Sequence, residues 1–185
     1  MLYKSKIAYH YTIKAGLNDL AQVLLKPSPG PLIQKQFNIW KIIEGCEITE
    51  EQIKIIQVNW AAVEPIAPQA AEIFYSKLFE ADPDLKYLFR NSEMADQGAK
   101  LMKTLGIVVG GLTNLEPLIP VIQGLGKRHV DYGVKEADYK VVGESLLATL
   151  EAGLGDAFTV EAKEAWTLAY TAVAGVMIEA SKGAA

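Results

Sequence analysis

The sequence predicts an all-α domain with short connections, and three observations carry that prediction. From Thr49 onward apolar residues recur at steps of three and four, and nothing alternates as a strand would. Gly and Pro punctuate the pattern at intervals that leave helices of ordinary length. The composition, 50% hydrophobic and 22% charged over 185 residues with a formal net charge of −4, describes one mildly acidic domain large enough for a sizeable core.

The elements follow in order. Thr49 and Gln52 stand at the spacing of a capping box, and Ile53, Ile56, Trp60 and Val63 form the first stripe behind them. Pro65 and Pro68 interrupt the chain. Ala71, Phe74, Tyr75, Leu78 and Phe79 form the next stripe; Asp82-Pro83-Asp84 then opens a short helical piece ending at Leu88-Phe89, and a loop runs through Asn91-Ser92. Further helices are predicted over about 93–111, 116–129, 136–153 and 160–181. Gly110-Gly111, Gly133 and Gly153-Leu154-Gly155 serve as stops, with Asn114, Asp156 and Thr159 near the starts.

The first 45 residues are a different kind of segment. Residues 1–45 hold six lysines against Asp19 and Glu44, a net of +4 that leaves −8 for residues 46–185. Residues 15–25 have room for about three helical turns. The run from Lys26 to Pro31 breaks any helix, and Ile33, Phe37, Trp40 and Ile43 then recur at helical spacing. The domain division is therefore a basic extension with a Pro-rich hinge, 1–45, and a helical domain, 46–185. The apolar stripe of the extension needs a partner surface, either the body of the domain or a second copy in a homodimer. The lysines are ordinary solvated charges or a light contact to an anionic surface or acidic partner.

Several classes fall away. A chain of this size has no room for a second nucleotide-binding domain, so any redox chemistry draws electrons from elsewhere. Cys46 is the only cysteine, which rules out an internal disulfide and suits a reducing compartment. No apolar run of about 18 residues exists to span a membrane. The first 16 residues lack both the apolar stretch of a secretory signal and the Arg and Ser content of a transit peptide, so the expected location is the cytoplasm. There is no Gly-rich phosphate loop, no paired-cysteine motif, no internal repeat, and no basic aromatic stripe for nucleic acid.

Only His10 and His129 are histidines, and His129 follows Val121 and Leu125 at steps of four, so its ring lies along an apolar face. Such an imidazole is either a core histidine bonded to a backbone carbonyl or an axial ligand to iron.

The residues around it carry a resemblance. The segment Leu125-Gly126-Lys127-Arg128-His129-Val130-Asp131-Tyr132-Gly133-Val134, with Tyr139 and Val142-Gly143-Glu144-Ser145-Leu146-Leu147 after it, resembles the proximal region of globins, especially neuroglobins and the globin domains of flavohaemoglobins. Asp82 to Phe89, Leu154 to Thr159, and the pairs Ala165-Trp166 and Ala169-Tyr170 extend the resemblance in the right order from about Thr49 to Ser181. It implies the globin fold, a three-on-three helical sandwich around haem, preceded here by an N-terminal helical extension.

The resemblance implies roles residue by residue. His129 is the fifth ligand of the iron, Leu125 packs beneath the porphyrin and Phe89 stacks on it. The group is haem b, non-covalent and one per chain, because no Cys-x-x-Cys-His attachment motif exists. Tyr75 and Gln97 align with a distal pair that binds oxygen tightly in bacterial globins. Dioxygen on ferrous haem carries partial negative charge, and a phenol O–H and an amide N–H favour it over carbon monoxide. The plainer alternatives are a core aromatic for Tyr75 and a solvated amide for Gln97. Lys100 and Arg128 are placed to pair with haem propionates, with plain solvation as the rival for each.

Leu101, Val134, Val142, Leu146, Tyr170 and Val173 match pocket-lining positions that would be core in any helical domain. Small Ala71 and Gly98 stand where two helices of the family cross closely. Tyr139 aligns with the tyrosine that, in flavohaemoglobins, helps a Glu bond the proximal histidine. Here that Glu position is Ser181, and Glu179 lies about 200° around the helix from it. Without the carboxylate the imidazole is more neutral, which suits reversible oxygen binding.

The expected function is a haem globin that reversibly binds dioxygen, in storage or transport, with other diatomic gases as further ligands. Two alternatives stand beside it: a nitric oxide dioxygenase served by a separate reductase, and a gas sensor signalling through residues 1–45. A haem-free stress-signalling relative is a further possibility that a well-placed His129 argues against.

Overall fold

The computed structural model describes residues 48–182. His10, Cys46 and the two short helices expected within the extension, with the stripe from Ile33 to Ile43, lie outside the described residues.

All regular structure among the described residues is helical. Helix α1, Glu50–Val63, starts as its sequence signature requires. Thr49 is extended, its hydroxyl accepts from the Gln52 amide at 3.2 Å, and the Gln52 side chain accepts from the Thr49 amide at 2.9 Å. Glu50 and Glu51 lie in the first turn, where the helix dipole favours negative charge.

Pro65 and Pro68 do less than expected. The chain makes one 3-10 turn, Glu64–Ile66, and re-enters α2, Ala67–Ala81, directly. Both prolines sit in first turns, where a missing N–H costs nothing, so they redirect the chain without opening a loop. Asp82 then ends α2 in extended backbone and accepts from the Asp84 amide at 3.0 Å, starting the 3-10 helix Pro83–Phe89.

After the turn at Asn91-Ser92 comes α3, Met94–Gly110. The helix expected over 116–129 is shifted: a 3-10 turn, Glu116–Leu118, precedes α4, Ile119–Asp131. Pro120 has no N–H to bond the Glu116 carbonyl, so the Ile119 amide takes that carbonyl in a tighter turn. Asn114 caps nothing there; α4 has no side-chain cap. Helix α5, Glu136–Leu154, runs through Gly153 and stops at Gly155, whose φ of +55° suits only glycine. The last helix, α6, Val160–Lys182, begins with the Thr159 hydroxyl accepting from the Ala162 amide at 3.2 Å.

Packing sets α1, α3 and α4 in one layer against α2, α5 and α6 in the other. The most extensive contact is α4 on α6, followed by α2 on α5 and α2 on α3. Ile56, Leu78, Leu118 and Leu150 are fully enclosed. Buried Asn59 accepts from the Trp166 indole at 3.2 Å, tying α1 to α6 without an orphaned polar group.

Small residues set how closely the layers approach. A Cβ added at Gly98 would lie 2.8 Å from the Ala71 Cβ, as the small pair anticipates. At Gly126 it would lie 2.3 Å from the Met177 carbonyl oxygen, so α4 and α6 meet backbone to backbone. Gly126→Ala is expected to lose about 2 kcal/mol of stability, because neither backbone can yield cheaply. Gly110→Ala, which meets nothing within 4 Å, should be neutral or up to about 1 kcal/mol stabilising. Urea titrations of the two variants check the contrast.

Candidate functional site

The two layers leave an apolar cavity of about 360 Å³ walled by α1 to α6 and the 3-10 helix Pro83–Phe89.

His129 sits in the last turn of α4, and its Nδ1 lies 2.8 Å from the Leu125 carbonyl oxygen. A carbonyl only accepts, so Nδ1 carries the proton and donates, leaving Nε2 as the nitrogen with a free lone pair. Burial lowers the pKa of the ring, the Leu125 carbonyl partly opposes that, and the Arg128 charge lowers it further. The imidazole is therefore held neutral, the form that binds metals. Among the described residues no group of three or more His, Cys, Asp or Glu side chains is placed to hold a metal ion.

Two aromatic rings flank the histidine. Tyr132 lies 5.8 Å away between centroids, and Tyr139 lies 6.1 Å away with its plane tilted only 29°. Among the described residues the buried Tyr139 hydroxyl has no hydrogen-bond partner, and burial, with Asp138 adding to it, raises its pKa. Tyr170 donates its hydroxyl to the Tyr139 carbonyl at 2.6 Å. Ser181 donates to the Ile178 carbonyl on its own helix at 2.6 Å, so its hydroxyl is satisfied locally.

The other walls are aromatic and aliphatic with sparse polar groups. Tyr75 packs edge-on against Phe89 at 5.3 Å and also meets Phe74 and Phe79, and Phe79 in turn meets Phe89. From α3, Gln97, Lys100, Leu101 and Leu105 line the cavity. Leu125, Arg128 and His129 line it from α4, followed by Val134. Tyr139, Val142 and Leu146 do so from α5, and Tyr170 and Val173 from α6. The structure thus brings every sequence-derived candidate to one cavity.

It adds lining residues that the sequence pattern did not single out: Leu88, Thr104, Tyr132 and Asp138. Asp138 had a local signal, since it accepts from the Lys135 amide at 2.8 Å at the start of α5. Thr104, which donates to the Lys100 carbonyl at 2.8 Å, had none. The residues present fit haem: apolar walls for a flat ring, a bare imidazole nitrogen for its iron, and half-buried Lys100 and Arg128 for its carboxylates.

An all-helical domain with one neutral imidazole in an apolar cavity defines a class, the helical haem carriers. Residues 72–177 match the globin family, and the chain belongs to it. The family implies haem as the cofactor. The chain is 32% identical over 144 residues to neuroglobin-1 of Oncorhynchus mykiss, an alignment covering 71% of this chain and 91% of that one. It is 30% identical over 134 residues to a flavohemoprotein of Vibrio cholerae, covering 71% of this chain and 34% of the relative, about a third of its length. Among solved structures, a bacterial globin from Campylobacter jejuni superposes with a TM-score of 0.66 at 26% identity, covering 73% of this chain and 97% of the other.

Tyr170 yields a pH test. Burial raises its pKa above the ordinary value of 10.0, with Tyr139 adding to the rise. Above pH 10 the unfolded chain releases this proton while the folded chain keeps it, so stability is full below about pH 10 and declines as pH rises beyond it. Tyr170→Phe should cost about 1 kcal/mol at neutral pH through the lost hydrogen bond and show a shallower alkaline decline, read from denaturant midpoints between about pH 8 and 11.5.

Proposed function

We propose that this chain holds one b-type haem on His129 Nε2 and binds dioxygen reversibly. The observation that carries the proposal is the hydrogen bond from His129 Nδ1 to the Leu125 carbonyl. A carboxylate there would draw the proton and make the ring imidazolate-like, pushing electrons toward iron as bond-cleaving haem enzymes do. A neutral carbonyl leaves a neutral ligand, which suits reversible binding. Haem, when bound, supplies a ferrous iron that takes diatomic gases.

The chain's own side chains divide the remaining work. Leu125 and Phe89 pack on the ring faces, while Leu101, Val134, Val142 and Leu146 exclude water. Lys100 and Arg128 pair with the propionates. The Tyr75 hydroxyl and the Gln97 amide donate to dioxygen, whose partial negative charge accepts more strongly than carbon monoxide does.

The similarity to a flavohemoprotein favours a second reading, nitric oxide dioxygenation with electrons from a separate reductase. Nitric oxide consumption with a supplied reductant tests it.

Stopped-flow gas dissociation tests the first. Tyr75→Phe and Gln97→Leu should each speed dioxygen release about 10- to 100-fold, the worth of a hydrogen bond to a charged acceptor, and change carbon monoxide release far less. Equal effects on both gases would show that the side chains act by bulk.

The domain division is also proposed: residues 1–45 serve a purpose other than haem binding. Residues 45–185 expressed alone should keep the dioxygen spectrum of the full chain while losing some stability or self-association. Failure to take up haem would place the extension in the pocket and favour sensing.

A further inference from the structure

One hydrogen bond at the edge of the cavity joins a distal donor to a residue outside it. Gln97 Nε2 donates to Ser92 Oγ at 2.9 Å. Gln97 lines the cavity, whereas Ser92 does not and occupies the turn between the 3-10 helix and α3. Ser92 is held in place, because its amide donates to the Phe89 carbonyl at 2.9 Å. Gln97 is held at its backbone, where its amide donates to the Glu93 carbonyl at 3.0 Å. The movable part is therefore the Gln97 side chain between two fixed ends.

The nitrogen is the only donating end of that amide, and its oxygen repels a negatively charged ligand. That nitrogen carries two N–H donors, so Ser92 and dioxygen compete for its position, Ser92 drawing it toward the turn and dioxygen into the cavity. A hydroxyl is a neutral acceptor and dioxygen on ferrous haem a partly charged one, and charge-assisted hydrogen bonds are roughly twice as strong. Carbon monoxide, a weak acceptor, loses the competition.

We propose that Ser92 is a positioning residue that holds the Gln97 amide at the cavity edge until dioxygen draws it in, while carbon monoxide leaves it there. The latch raises discrimination between the two gases at some expense in dioxygen affinity. This rests on Gln97 as a donor to dioxygen.

The test uses the full-length haem-loaded protein and two readouts, dioxygen release and the infrared stretch of bound carbon monoxide, which falls when a donor faces it. Ser92→Ala should slow dioxygen release about two- to tenfold, the range of one neutral hydrogen bond, and lower the stretching frequency. Ser92→Thr, which keeps the hydroxyl, should restore both. Gln97→Leu should leave the stretch unchanged in the wild-type background and abolish its shift in the Ser92→Ala background.

Unchanged release and stretch in Ser92→Ala would overturn the latch alone, provided Gln97→Leu still speeds dioxygen release. Faster release in Ser92→Ala would overturn it too, showing that Ser92 aims the amide inward. Unchanged dioxygen release in Gln97→Leu would overturn the distal-donor reading and the latch with it.

Discussion

The architecture turns on a single hydrogen bond within α4, from His129 Nδ1 to the Leu125 carbonyl four residues earlier. It decides the tautomer, and the tautomer decides which nitrogen faces the cavity as a bare lone pair. An imidazole with both nitrogens in water would have neither a fixed orientation nor a fixed protonation state. Here the partner is supplied by the ring's own helix, so the orientation survives wherever α4 is placed. What remains for the tertiary structure is to keep α4 in position and the space beside it apolar.

Both requirements are met by contrast in side-chain size. Gly126 lets α4 rest on the backbone of α6 at Met177, and Gly98 lets α3 approach α2 at Ala71. Gly143 does the same for α5, since a Cβ there would lie 2.6 Å from the Tyr170 ring. Helix axes drawn together at such points are separated elsewhere by Leu, Val and aromatic side chains, and the cavity forms in that separation. The clustered rings of Tyr75, Phe79 and Phe89 stiffen one wall of it.

Polar groups in the cavity are few and differ in how they are satisfied. Tyr170 is bonded to backbone, Gln97 to Ser92, and the Tyr139 hydroxyl to no group among the described residues. An unpartnered buried hydroxyl costs stability, and the ring that carries this one stacks on the histidine at 6.1 Å between centroids. Burial first, and the neighbouring Arg128 charge with it, keep the imidazole neutral. The alignment reaches across 91% of a neuroglobin but 34% of a flavohemoprotein, so the shared part is the helical domain.

Helix periods, the capping box at Thr49, the Asp82-Pro83 start and the glycine stops at Gly133 and Gly155 were legible from residues alone, because each acts within about one helical turn. The place of His129 on an apolar stripe was legible too, but core histidine and iron ligand both stood as readings of that pattern; the ligand role and the other pocket residues came only from the family resemblance. The proline pair at Pro65 and Pro68 and the delayed start of α4 were not legible, since a missing N–H leaves open whether a chain breaks or tightens into a 3-10 turn. A backbone carbonyl as the partner of His129 was one of the two readings left open by the residues, and its identity as Leu125 is local to α4; Gly126 against Met177 and Asn59 under the Trp166 indole had no sequence signal. Local pattern decides which face of a helix is apolar; which atoms of different helices come within about 3 Å of one another depends on how the six described helices pack at once, and that is settled only in three dimensions.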